Sequence, residues 1–95
     1  MSINLIVMLK AKKNKLMAFI EIMAEAKTDL PKIDGCESVK IFKDMNDPCV
    51  FYLIETWGSE EQHKSHIAEF SQSGGWEHMS SHLISDPVMG YFREI

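Results

Sequence analysis

The sequence predicts an α+β fold, with four strands and two main helices in a single domain that spans residues 1–95. The length leaves room for one hydrophobic core, and 45% hydrophobic with 25% charged residues is typical of globular proteins. The hydrophobic pattern changes twice from a strand-like to a helical period. A dense turn sequence between two strand-like segments indicates an antiparallel hairpin.

The first half of the chain predicts a strand, a helix and a second strand. Ile3 to Leu9 is apolar, rich in β-branched residues and too short for a helix, which favours a strand buried on both faces. An amphipathic helix of about four turns should follow and end at Pro31. Its apolar positions recur at intervals of three and four: Leu16, Phe19, Ile20, Met23, Ala26 and Leu30. Glu37 to Lys43 then alternates, as an edge strand does.

The second half predicts a hairpin partner, two more helices and a last strand. The turn Asp44 to Pro48 leads into an apolar strand over Val50 to Trp57. Ser59 and Gln62 form a capping box, so a helix should run from Glu60 to about Phe70. After a break at residues 71–75, a short helix should carry Trp76, Met79 and Leu83 on one face, and residues 88–95 should form the final strand.

The resulting order, β-α-β-β-α-β, is the ferredoxin-like pattern, in which the helices cover one face of a four-stranded antiparallel sheet. The two most apolar strands carry large side chains on both faces, with Leu5 and Val7 opposed to Ile6 and Met8 in the first. The uncovered face would therefore be more apolar than monomers usually tolerate. We expect a homodimer in which two copies pack sheet to sheet about a two-fold axis.

Composition excludes several classes of protein. A net charge of −4 argues against a nucleic-acid-binding module, and the cluster Lys10, Lys12, Lys13 and Lys15 is interpreted as a solvated turn. No apolar run reaches the roughly 18–20 residues of a membrane span. The lysines follow the N-terminal apolar stretch from Met1 to Leu9, the reverse of a secretory signal, so we expect a cytoplasmic protein. Cys36 and Cys49 fall out of register in the hairpin and should remain free thiols.

Two side chains are candidate catalytic groups. Glu55 ends an apolar strand, where burial would raise its pKa and make it a base for a phenolic or quinol proton. The alternative is that Glu55 reaches solvent or pairs across the dimer. Ile67 and Phe70 place His66 towards the core and His63 outside. His66 would exchange a proton with Glu55 or orient a substrate oxygen, or else be a hydrogen-bonded core histidine.

Trp57, Trp76 and Met79 are candidate walls of a substrate pocket, with plain core packing as the alternative. His78 and His82 have the i, i+4 spacing of helical metal ligands, but no carboxylate or cysteine supports them, so solvent exposure is expected. The sequence contains no glycine-rich phosphate loop, Ser/His/Asp set or flavin fingerprint. We therefore expect no metal and no cofactor.

Several of these segments together resemble the antibiotic biosynthesis monooxygenase (ABM) family. In that family an Asp/Pro turn leads into a strand ending Glu-x-Trp, followed by a helix with a histidine; the corresponding segments are Phe42 to Pro48, Phe51 to Trp57, Ser59 to Glu61, and His66. The resemblance implies a dimeric α/β barrel with a pocket between each sheet and its helices. Members include cofactor-free oxygenases of polyketide aromatics or quinols, haem-degrading enzymes, and enzymes acting on small signalling molecules.

The sequence departs from the haem-degrading branch of the family. That branch relies on an asparagine, a tryptophan and a histidine, where this chain has Val7, His66 and Trp76, with His78 close to the last position. Haem degradation is therefore disfavoured. Two hypotheses are retained: a cofactor-independent monooxygenase of a small aromatic or quinol substrate, and a non-enzymatic dimer that binds a small apolar ligand.

Overall fold

The structure, a computed structural model, describes residues 2–95, so Met1, where the predicted domain and its apolar N-terminal stretch begin, lies outside the described residues. The elements in chain order are β1 (Ile3–Lys10), α1 (Leu16–Asp29), β2 (Cys36–Lys43), β3 (Val50–Trp57), α2 (Glu60–Gln72), α3 (Gly75–Ser80) and β4 (Val88–Phe92). Single 3₁₀ turns precede and follow α1. No helix among residues 2–95 has the length and apolar character needed to cross a membrane.

The four strands form one antiparallel sheet in the order β2-β3-β1-β4, which confirms the predicted α+β architecture. β1 is central and pairs along its length with β3, with Leu5 opposite Glu55 and Val7 opposite Leu53. β4 pairs with the other edge of β1, with Tyr91 opposite Leu5. This register brings the ends of β3 and β4 to either side of the same part of β1.

One face of the sheet is covered by the helices and forms the core. Leu5 and Leu9 of β1 are each 2% exposed, and Phe51 of β3 packs edge-on against Phe19 of α1 with 5.3 Å between ring centroids. The opposite face carries the alternate residues of every strand. We call it the bare face, and its large apolar side chains are Ile6, Met8, Phe42, Val50, Tyr52, Ile54, Val88 and Phe92.

The predicted boundaries need small corrections. α1 ends at Asp29 and the chain continues into a 3₁₀ turn that contains Pro31, so the helix stops where proline was expected to stop it. α3 ends at Ser80, and Leu83 leaves the helix to bridge Ala11. The last strand ends at Phe92 rather than Ile95.

The start of α2 is fixed by a cap and by close packing. The Ser59 hydroxyl accepts from the Gln62 amide at 3.2 Å, as the capping box predicts. Gly35 has φ of +91°, and a Cβ there would lie 2.5 Å from the Gln62 side chain, so glycine is needed at this contact.

Cys36 and Cys49 are buried free thiols, as predicted.

Candidate functional site

The helices and the sheet enclose an apolar cavity of about 330 Å³. This volume is at the lower end of the range for small-molecule sites, which suits a small aromatic ligand. The sheet contributes its floor, α1 contributes one wall, and α2 with α3 contributes the other. The apolar lining includes Leu5, Val7, Leu9, Leu53 and Met89 from the sheet, Ile22, Met23 and Ala26 from α1, and Ile67, Phe70, Trp76 and Met79 from the remaining helices.

Glu55 lies on the cavity floor and is 6% exposed. Because side chains alternate along a strand, Glu55 and Trp57 share the helix-covered face. The Trp57 indole N–H donates to Glu55 Oε1 at 2.9 Å. Burial raises the pKa of the Glu55 carboxyl, and the hydrogen bond from Trp57 opposes part of that rise. The alternative that Glu55 reaches solvent at the strand end is therefore wrong for the single chain.

His63 was predicted to face outward, and that prediction is wrong. Its side chain lines the cavity, is 3% exposed, and lies with Nδ1 2.7 Å from the Tyr91 hydroxyl of β4. Burial, with a smaller effect from the neighbouring His66, lowers the pKa of His63 to about 4. His63 is therefore a neutral imidazole at physiological pH.

His66 lines the cavity one turn further along α2, as predicted. Its ring is half-buried and stacks between two aromatic groups, Trp57 at 5.5 Å and Phe70 at 5.8 Å between centroids. Burial lowers the pKa of His66 as well. Both stacking partners restrict the rotation of the His66 ring.

The structure brings four of the five predicted site residues to the cavity surface: Glu55, His66, Trp76 and Met79. Trp57 is fully buried and contributes through its contacts with Glu55 and His66. The missed residue, His63, could have been found from spacing alone. The cavity-facing side of α2 carries His63, His66, Ile67 and Phe70, which follow the i, i+3, i+4, i+7 pattern of a buried helix face.

His78 is exposed, as predicted, but His82 is 7% exposed, so its predicted exposure is wrong. α3 ends before His82, and the Lys12 amide donates to the His82 carbonyl at 2.7 Å. The imidazole Nδ1 then lies 2.9 Å from the His78 carbonyl oxygen. Within residues 2–95, no group of three or more His, Cys, Asp or Glu side chains is arranged to hold a metal ion.

The site therefore combines a carboxylate held in apolar surroundings with two neutral imidazoles, all on the surface of one cavity. The ABM family model, described as antibiotic biosynthesis monooxygenase, matches residues 2–71. The chain belongs to this family.

Solved structures of the same fold agree with this assignment. A conserved protein from Methanosarcina mazei Go1 is 17% identical, with 99% of this chain and 93% of that chain covered and a TM-score of 0.85. A structure described as an antibiotic biosynthesis monooxygenase is also 17% identical, with 98% of each chain covered and a TM-score of 0.86. A Mycobacterium tuberculosis protein is 13% identical, with 100% of this chain and 96% of that chain covered and a TM-score of 0.85. No curated protein matches the sequence.

Proposed function

We propose that this domain is a cofactor-independent monooxygenase that acts on a small aromatic or quinol-type substrate in the cavity between sheet and helices. The observation that carries the proposal is the burial of Glu55 on the floor of an apolar cavity that His63 and His66 also line. A carboxylate with a raised pKa is a stronger base once ionised than one in water. Family membership supports the same reaction class.

In this reaction Glu55 removes a proton from the substrate, and the resulting anion transfers an electron to O₂. The substrate radical and superoxide combine to a peroxide, which takes up the proton and loses water. For an anthrone, one CH₂ group and one O₂ give one C=O group and one H₂O, so the substrate supplies all the electrons. The protein supplies a base, orientation and a cavity lined mainly by apolar side chains.

The other residues have supporting roles in this proposal. His66 and His63 donate hydrogen bonds to the substrate oxygen as negative charge develops on it. Trp57 holds the Glu55 carboxylate by its indole N–H. Trp76 and Met79 form the wall against which the aromatic ring packs.

Oxygen consumption with anthrone as the substrate tests the proposal. Glu55→Gln and His66→Ala should each lower kcat/KM by at least about 100-fold, the usual effect of losing a general base or a charge-stabilising donor. Glu61→Gln is the matched control for Glu55→Gln, because it makes the same change at an exposed position that is not among the cavity-lining residues. Full oxygen consumption by either site variant would contradict the assignment. Anthrone binding without oxygen consumption by the unaltered protein would support the alternative, a non-enzymatic ligand-binding dimer.

We also propose that the domain works as a homodimer joined through the bare face. Phe42, Tyr52, Val88 and Phe92 are 43–63% exposed on it. They are contiguous, because Tyr52 lies opposite both Phe42 and Met8, and Met8 lies opposite Val88. A second copy would remove this apolar surface from water. The unlinked cysteines support a cytoplasmic location for the dimer.

Light scattering tests the dimer. The 10.9 kDa chain should behave as a particle of about twice that mass at micromolar concentration, and Ile6→Asp should halve the mass or precipitate the protein. Thr28→Asp, at an exposed position of α1 and away from the bare face, is the control and should leave the mass unchanged. A stable monomer of the unaltered chain would overturn the proposal.

A further inference from the structure

The cavity is lined by carboxyl groups and imidazoles. The carboxyl groups are those of Glu25, Asp29 and Glu55, the imidazoles are those of His63, His66 and His78, and none of the described lining residues is lysine or arginine. Burial lowers the pKa values of His63 and His66, which favours their neutral forms. The lining therefore offers hydrogen bonds but no lysine or arginine as a counter-ion for an anion.

The two outer carboxylates lie on α1, where Glu25 and Asp29 are four residues apart and so share one side of the helix. Both side chains are exposed, so they meet a ligand before it is desolvated. The Asp29 Oδ1 atom lies 3.7 Å from the Lys32 Nζ atom. Both side chains are exposed, so solvent screens the attraction between them. Glu25 forms no ion pair with any described residue. Negative charge is thus retained on the α1 side of the cavity.

These charges act differently on neutral and anionic ligands. A ligand carboxylate that entered the cavity would lose its hydration without gaining a counter-ion, which is costly. It would also share the apolar space with the Glu55 carboxyl, and a second negative charge there disfavours the ionised form of both groups. An uncharged aromatic ring meets neither cost.

We propose that the cavity selects aromatic ligands that are uncharged in solution and excludes those that carry a carboxylate or phosphate, with Glu25, Asp29 and Glu55 as the specificity-determining residues. As a statement about the substrate, this inference rests on the proposed monooxygenase function. Selection of uncharged ligands also fits the proposed reaction. When a neutral substrate gives its proton to the Glu55 carboxylate, the negative charge moves from Glu55 to the substrate and the number of charges in the cavity stays the same. An anionic substrate would require two negative charges in the cavity at once.

Equilibrium dialysis with two probes of the same ring system tests the selection. 1-Naphthol is uncharged at pH 7 and 1-naphthoate is an anion. In the absence of oxygen, 1-naphthoate should bind at least about tenfold more weakly than 1-naphthol, which is about 1.4 kcal/mol. Glu55→Gln should narrow that difference, because the amide oxygen can still accept from Trp57 while the ionisable carboxyl group is lost, and the cost of desolvating the naphthoate remains.

Glu25→Gln should strengthen 1-naphthoate binding about two- to threefold, an effect that high salt abolishes because the side chain is exposed. Glu61→Gln, an equal charge change at an exposed position away from the lining, should have no effect. Equal binding of the two probes, or binding of neither, would overturn the inference. Selective binding of 1-naphthol by a protein that consumes no oxygen with anthrone would overturn the monooxygenase and leave the charge selection standing.

Discussion

Both faces of the sheet carry aliphatic and aromatic side chains, but the surroundings of the two faces are opposite. On the covered face, Leu5 and Phe51 are almost completely buried, and a carboxylate, Glu55, is buried with them. On the bare face, Tyr52 and Phe92 remain about half exposed. The covered face thus tolerates a charge-bearing group that burial disfavours, and the bare face tolerates apolar groups that water disfavours. Each exception to simple patterning coincides with a proposed function, the site on one face and the dimer contact on the other.

The largest expected effect is on the free energy of unfolding, which substitutions on the two faces should change in different ways. Leu5→Ala removes a buried side chain of the covered face and should lower the free energy of unfolding by about 2–5 kcal/mol at every protein concentration. Ile6→Ala, the next residue along β1, should destabilise the protein mainly at concentrations where the dimer forms. Urea denaturation over a range of concentrations measures both. A concentration-independent loss of equal size for Ile6→Ala would remove the distinction between the faces.

A smaller effect concerns the ionisable groups above the covered face. Because the pKa of His63 falls from 6.5 to about 4 on folding, the unfolded chain binds a proton between those values that the folded chain does not. Stability should therefore fall as pH decreases from about 6.5 towards 4, by on the order of 1 kcal/mol per pH unit from this residue.

A variant of His63 and a control on the same helix isolate this contribution. His63→Gln should flatten the decrease in stability between pH 6.5 and 4, and Ser65→Gln, which introduces glutamine at an exposed position of α2, should leave it unchanged. The measurement is urea denaturation at several pH values. An unaltered slope in His63→Gln would mean that His63 is protonated as readily in the folded protein as in the unfolded chain.

The smallest expected effect is the loss of stability when a tyrosine hydroxyl is removed, and it should differ between the two faces of the sheet. Tyr91→Phe removes the 2.7 Å hydrogen bond to His63 but keeps the edge-on ring contact, and should cost about 0.5–1.5 kcal/mol. Tyr52→Phe on the bare face removes a hydroxyl from a 43% exposed side chain and should change the stability of the monomer little. Thermal unfolding at low protein concentration distinguishes them, and equal losses would contradict the role of the His63–Tyr91 contact.

Much of the fold could be predicted from local patterns. β3 was predicted with both of its observed ends, because an apolar strand between a turn sequence and a capping box has clear limits. The inward position of Glu55 could not be predicted, since alternation shows which residues share a face but not which face the helices cover. Glu55 lies inside because Leu53 and Trp57, on the same face, are buried there.

The two misplaced histidines show how helical spacing can be misapplied. His63 was assigned outside because only Ile67 and Phe70 were used to define the buried side of α2, and that side is wider than two residues show. His82 was placed by extending helical geometry beyond Ser80, where the helix has already ended. Boundaries of one or two residues therefore decide whether a histidine is assigned to the interior or to the surface.

The position of β4 has a consequence for synthesis on the ribosome. Of the four strands that the structure describes, β4 is the last to be made, and in the sheet it pairs with β1, the first. Until residues 88–92 emerge, β1 has an unpaired edge, and the cavity lacks Met89 and the Tyr91 contact that anchors His63. An open strand edge on a nascent chain is a site for mispairing with neighbouring chains. Completion of the ligand cavity and protection of the central strand are thus one event, which occurs only at the end of translation of the domain.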